Sequence, residues 1–457
     1  MSTSEAPEIH RRTSTSHGNG VLSSTVAPLQ RVLSRPQGVE EEIPGPDLAL
    51  GEKTRKHNHH KDGVHSPGLK PSKDDIGWRR IVRNFTPSWF AVNMGTGIVS
   101  ILIHNLPYNA AWLQYVSYVF FCLNISLFSV FLVLTILRYT LYPEIWFAMI
   151  NHPGQSLFLG TFPMGFATII NMMIFVCAQW GDWAIYLAWG FWWFDVVVSV
   201  ACAILMPFIV MHRHKIQLQQ TTAALLLPVV PAVVASASGG IIAEVLPNKD
   251  HAITTLVTSY ILWGIGESMT MAILAMYFHR LMLHNLPPRE LIVSVFLPVG
   301  PLGQGGFGIQ QLGKVALQLL PSTQAFGPAG SDAMHGGEVL YYLGVFLAFV
   351  MWGAGLGWLI IAAASIITTS HFPFNMGWWG FTFPLGVFTT CTGMLAKELS
   401  STFFSVLTMI FSIAVFLLWC VVAVGTVLQA LSGEIFFAPC LKDIRPKEQQ
   451  QEADRTV

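Results

Sequence analysis

From Phe85 onward the chain divides into ten apolar stretches, at roughly 85–106, 113–137, 156–178, 183–211, 222–246, 252–281, 291–320, 338–369, 376–399 and 402–431. Each is long enough to cross a hydrocarbon core of about 30 Å. In lipid only helices and closed barrels satisfy every backbone N–H and C=O, and these stretches lack the period-two alternation of barrel strands. The expectation is an all-α polytopic membrane protein with ten transmembrane helices, its first partner being the lipid bilayer. Composition excludes the alternative of a soluble globule. Only 11% of the 457 residues are charged and 53% are hydrophobic, whereas a soluble domain carries about a quarter charged residues.

The residues outside these stretches set the domain plan. Residues 1–76 are rich in Ser, Pro, His, Gly and charge with almost no aromatics, a composition that cannot offset the entropy of ordering. They read as a disordered tail with no cleavable signal peptide. The histidine run Lys56–His65 has no cysteine or carboxylate cluster to complete a metal site, so no metal and no cofactor are expected. Residues 77–432 are expected to form the ten-helix membrane domain and 433–457 a cytoplasmic C-terminal tail. Five of the six cysteines lie inside apolar runs and read as small hydrophobes. Net charge is zero, which implies no nucleic-acid partner. Arg79, Arg80, Arg83, Arg138, Arg213, Lys215, Arg280, Arg289, Lys442, Arg445 and Lys447 fall on one side of the spans, and only Lys249 and Lys397 on the other. The positive-inside rule then places both termini in the cytoplasm.

Prolines separate the spans into two classes. The odd spans carry Pro87, Pro163, Pro228 with Pro231, Pro298 with Pro301, and Pro384, together with small and polar residues. The even spans have Pro207 and are otherwise uniformly apolar. Proline removes an N–H and kinks a helix, and backbone groups freed in a membrane must face protein or water. The expected architecture is five helical hairpins, with kinked odd helices lining a central path and even helices outside against lipid. Gly303-x-Gly305-x-x-Gly308 has the spacing of a dinucleotide turn, but it lies inside an apolar span with no βαβ context. Close backbone packing, or close approach of a permeating solute, is the expected role.

The segments HPGQSLFLGTFPMGFATIIN (His152–Asn171), GPLGQGGFG (Gly300–Gly308) and WWGFTFPLGVFT (Trp378–Thr389) resemble the tellurite-resistance and dicarboxylate transporter family, which also includes plant slow anion channels. Within it the chain looks most like the fungal sulphite efflux branch, with support from FWWFDVVVS (Phe191–Ser199) and LLLPVVPAVVASASGG (Leu225–Gly240). The resemblance implies five hairpins about a quasi-fivefold axis, one pore per protomer, and homotrimers. It also implies a phenylalanine gate midway along the ninth helix, matched here by Phe383, with Phe381 a neighbour able to share the role. A ring of apolar surface closes a pore by bulk and by dewetting.

Neutral donors suit an anion that must also leave. Asn93, Thr96, Asn171, Gln304 and Thr390 stand on odd helices and qualify, each set against the plainer role of bonding a neighbouring helix. Lys314 lies well inside a span and either draws anions or snorkels to the interface. Asp195 and Glu267 are intramembrane carboxylates, and Asp195 is the candidate for proton coupling. The expected function is export of sulphite or bisulphite, small inorganic anions, across the plasma membrane. A negative cell interior favours it by about 2.3 kcal/mol per 100 mV. The alternative is a C4-dicarboxylate (malate) permease or anion channel of the same family. It is weakened because no arginine fork lies deep in a span. No catalytic constellation such as H-E-x-x-H or G-x-S-x-G occurs, so no enzyme is expected.

Overall fold

A chain this apolar must satisfy its backbone within each segment, and among the described residues the regular structure is entirely helical. The computed structural model describes residues 77–214, 217–322, 331–369 and 371–443. The tail at 1–76 with its histidine run, Lys215, and the C-terminal residues from 444 onward lie outside the described residues. Twelve α-helices follow one another among the described residues: α1 (Trp78–Arg83), α2 (Phe90–His104), α3 (Ala111–Leu141), α4 (Glu144–Asn151), α5 (Thr161–Cys177), α6 (Asp182–Arg213), α7 (Val230–Val245), α8 (Lys249–His284), α9 (Val299–Leu319), α10 (Ser331–Thr368), α11 (Thr382–Glu398) and α12 (Thr402–Ser432). Among the described residues, seven segments are long and apolar enough to cross a membrane. The apolar stretches holding α2, α7 and α11 give α-helices of only 15, 16 and 17 residues.

The helices fall into two sets. The short helices α2, α5, α7, α9 and α11 are buried nearly all round. The long helices α3, α6, α8, α10 and α12 bury one narrow face and leave large apolar side chains such as Val197, Tyr342 and Ile410 exposed. The segments Ser156–Trp180 and Arg289–Leu319 are 67% and 83% buried, against 22–28% for the five long helices. Helices apolar on every side are buried or face lipid, so burial alone tells the two sets apart. The short helices pack as a closed ring: α2 on α5, α5 on α7, α7 on α9, α9 on α11, and α11 back on α2. Each long helix lies along the short helix that precedes it and also touches the next one in the ring.

That second contact is tied by a side-chain hydrogen bond at every position of the ring. Trp192 on α6 donates its indole N–H to Ala235 O on α7 (2.8 Å), and Trp263 on α8 donates to Gly305 O on α9 (3.0 Å). Trp352 on α10 donates to Thr392 Oγ1 on α11 (3.0 Å), and Trp419 on α12 to Thr96 Oγ1 on α2 (3.1 Å). In the fifth place Asn124 on α3 donates to Thr168 Oγ1 on α5 (3.0 Å). Indole is a single donor on a large apolar body, which suits a contact that is apolar except at one point.

The prolines mark where each ring helix begins. Turns of 3-10 helix at Pro87–Trp89, Ser156–Gly160, Ala223–Leu226, Arg289–Phe296 and Met376–Gly380 precede α2, α5, α7, α9 and α11. Pro87 opens its turn, Pro228 and Pro298 stand between turn and helix, and Pro163 and Pro384 are third residues of their helices. In the first turn a missing N–H costs little, so the irregularity sits at the entry of each ring helix and not midway. The glycine motif is inside α9, with no strand before it among the described residues. A Cβ at Gly303 would lie 2.5 Å from Phe388 Cα, and one at Gly305 would run into the Glu267 carboxylate. These glycines admit other helices to the backbone of α9. Two of the arginines counted for orientation are spent on carbonyls: buried Arg138 donates to Phe85 O, and Arg280 to Gln219 O at 2.9 Å.

Candidate functional site

A cavity of about 800 Å³ opens where the N-terminal ends of all five ring helices meet. Met94 of α2, Met164 of α5, Val230 of α7, Gly300 of α9, and Phe383 with Pro384 of α11 are among its lining residues. The 3-10 turns form much of the remaining wall; among the described residues no Lys or Arg contributes to it, and its one charged residue is Glu290 at the start of a turn. Each helix N-terminus carries roughly +0.5 of an elementary charge from its aligned peptide dipoles. Five such ends around one apolar-walled cavity favour an anion without supplying a cation to trap it.

Phe383 is 4% exposed and lines this cavity, whereas Phe381, two residues earlier, does not. The Phe381 ring packs on Phe296 (centroids 4.9 Å apart) and on Trp378 (5.8 Å). Adjacent alternate residues at the start of α11 therefore have different surroundings, which the sequence alone does not separate.

The neutral donors also divide. Asn93 Nδ2 donates to Asn124 Oδ1 (2.9 Å) and Asn124 O (3.1 Å), and Asn124 passes the chain on to Thr168. Thr96 receives Trp419, and Thr390 Oγ1 donates to Val387 O of its own helix (2.7 Å). Asn93 and Thr96 thus tie neighbouring helices together, whereas Thr390 bonds back to its own helix. Asn171, with its Oδ1 buried and unpaired, and Gln304, whose side chain makes no hydrogen bond among the described residues, keep free amide groups on the ring helices α5 and α9. Lys314 Nζ is 2.7 Å from Glu244 Oε1 across α9 and α7, so its charge is paired. Asp195 and Glu267 are buried, and all four carboxylate oxygens lack a hydrogen-bond partner among the described residues. Among the described residues no group of three His, Cys, Asp or Glu side chains is arranged to hold a metal.

Sequence reading passed over Asn124, a lone amide on an outer helix, and Glu244, whose partner is 70 residues away. A polar residue within a lipid-facing segment was the one available signal for Asn124. Asn124→Ala is expected to lower the thermal midpoint of purified protein by a few degrees, since interhelical hydrogen bonds in membranes are worth about 0.6 kcal/mol on average. Anion flux per folded molecule is expected to stay within twofold of wild type. A fluorescence melt alongside a flux assay checks both.

Residues 84–427 match the family described as SLAC1, voltage-dependent anion channel. The chain is 50% identical over 356 residues to the sulfite efflux pump SSU1 of Arthroderma otae, covering 78% of this chain and 93% of that one. It is 48% identical over 374 residues to the proteins of the same name from Arthroderma benhamiae and Trichophyton rubrum, covering 82% of this chain and 97% of each.

Proposed function

The chain belongs to the SLAC1 family of voltage-dependent anion channels, and from that membership we propose that it exports sulphite or bisulphite across the plasma membrane. The observation that carries the reading is the cavity where five helix N-termini converge with Phe383 in its wall. On this reading the ten helices of the ring and its outer layer all span, as five hairpins. The short ring helices complete their crossing with their 3-10 entry turns. The ring interior is the pore, Phe383 is its gate, and Asn171 and Gln304 line the path beyond it. Both termini are cytoplasmic, so the cavity is the inner vestibule that collects the anion. The family resemblance extends the reading to a trimer with one pore per protomer.

The membrane potential supplies the driving force. Among the described residues the vestibule lining has no basic side chain and one acidic one, Glu290, so the anion is attracted by dipoles alone and then released, as conduction requires. No arginine lies on any of the five ring helices, which disfavours a dicarboxylate that would call for bidentate forks. A proton-coupled mode would run through Asp195, buried with both oxygens unpaired. Purified protein in liposomes tests these readings. Sulphite flux is expected to follow an imposed potential without a proton gradient and to exceed malate flux at least tenfold. Malate flux without sulphite flux would move the chain to the dicarboxylate branch, and flux that requires a proton gradient would favour the Asp195 route.

A further inference from the structure

The five ring helices carry two basic side chains, Lys314 and Lys397, and two acidic ones, Glu244 and Glu398. All four stand in the last two turns of their helices, at the mouth opposite the large cavity. All five N-termini open on the large cavity, so the five C-termini point the other way, and each presents roughly half a negative elementary charge. An anion leaving the ring must pass them, so this end needs positive charge that the other end does not.

Three of the four groups are already engaged. Glu244 receives Lys314 on Oε1 and Gln311 Nε2 on Oε2, both at 2.7 Å. Glu398 accepts from the Tyr341 hydroxyl on α10. Lys397 alone has no ion pair or side-chain hydrogen bond among the described residues, although Lys314, Glu244 and Glu398 are near enough to act on it electrostatically. It is exposed, and it lines a second cavity of about 530 Å³ together with His104, Asn105, Ser400, Ser401 and Ser405. That cavity adjoins the C-terminal ends of α2 and α11, neighbours in the ring. Its polar groups are not used up internally. Ser401 Oγ accepts from Phe404 N, which leaves its O–H free to donate, and Asn105 uses one amide proton on Ile101 O.

We propose that this second cavity binds the oxyanion at the far mouth, with Lys397 as its charge partner and Ser400, Ser401 and Asn105 as neutral donors. The site rests on the sulphite-export reading and names the residue on which release turns. One lysine is a compact, strongly hydrated point charge with no bidentate fork. It offsets the helix ends and holds a small anion weakly enough to let it go.

Equilibrium exchange of radiolabelled sulphite across liposomes tests the site, because insertion orientation does not affect this readout. Lys397→Gln is expected to raise the half-saturating sulphite concentration at least fivefold, and Lys397→Arg to stay within twofold of wild type. Lys314→Gln combined with Glu244→Gln, which removes one paired charge of each sign, is expected to change it less than twofold. Ser400→Ala removes a donor without changing charge and is expected to raise it at least twofold, giving a second reading if Lys397→Gln folds poorly. A half-saturation for folded Lys397→Gln within twofold of wild type overturns the proposal. So does unchanged half-saturation with a loss of co-purified phospholipid, which would assign the cavity to a lipid phosphate. If wild type exchanges malate but not sulphite, the export reading fails by itself. The Lys397 comparison made on malate then decides the site independently, the fivefold rise supporting it and its absence overturning it.

Discussion

Phe383→Ala is expected to raise sulphite flux at least tenfold at a fixed membrane potential. The Phe383 ring is 4% exposed and lines the 800 Å³ cavity at the point where all five ring helices enter. An apolar constriction blocks an anion because the ion would have to shed water against a surface that offers no donor. Truncating the ring to a methyl widens that point and admits water. A tenfold rise corresponds to lowering the barrier by about 1.4 kcal/mol, a small part of the cost of desolvating an anion. The matched control is Phe381→Ala. That ring packs on Phe296 and Trp378 and stays out of the cavity. Its loss is expected to cost about 3–5 kcal/mol of stability, as for a large core aromatic, with no gain in flux per folded molecule. Equal gains in both variants would mean that α11 had loosened, and the gate assignment would fail. No gain in Phe383→Ala would sink it directly.

The helical, membrane-spanning character of the chain was legible because the hydrophobic effect and backbone satisfaction act on each segment separately. Ten apolar runs can be read one at a time. The two classes of helix were visible through their prolines, but the physical meaning differed in place. Pro163 and Pro384 sit in first turns behind a 3-10 segment, where residue type alone does not distinguish an entry turn from a kink. What could not be read were relations across the ring. Trp419 and Thr96 are 323 residues apart, and Lys314 and Glu244 are 70 apart. Neither pair leaves a local pattern. The candidate donors illustrate the same limit. Asn93, Thr96, Asn171, Gln304 and Thr390 are equivalent in sequence context, yet Asn93 and Thr96 are spent on hydrogen bonds that depend on which face of each helix meets its neighbour, and Thr390 bonds back to its own helix. The large cavity is likewise a property of five N-termini brought together, and no one segment carries its signature.

Gly303→Ala is expected to be among the costliest single-methyl changes in α9, because the atoms it would meet are backbone and lie closer than the backbone facing Gly313, where the nearest is Leu340 O at 2.8 Å. The added Cβ would lie 2.5 Å from Phe388 Cα, 2.6 Å from Phe388 N and 2.9 Å from Val387 C. A side-chain obstacle can rotate away, but here α9 and α11 must move apart, and α11 carries Phe383. Overpacking of a well-fitted contact costs about 1–3 kcal/mol, and a backbone obstacle belongs at the upper end. A thermal midpoint lowered by roughly 10 °C and a large fall in monodisperse yield are the expected readouts. Gly357→Ala on α10 is the control, since a Cβ there meets nothing within 4 Å. It is expected to be neutral or to stabilise by about 0.4–1 kcal/mol through the reduced entropy of the unfolded chain. The double variant Gly303→Ala with Phe388→Ala separates the two kinds of obstacle. Truncating the Phe388 ring leaves its Cα and N in place, so no recovery is expected. Recovery in the double variant would show that the ring, not the backbone, limits the approach of α9 to α11.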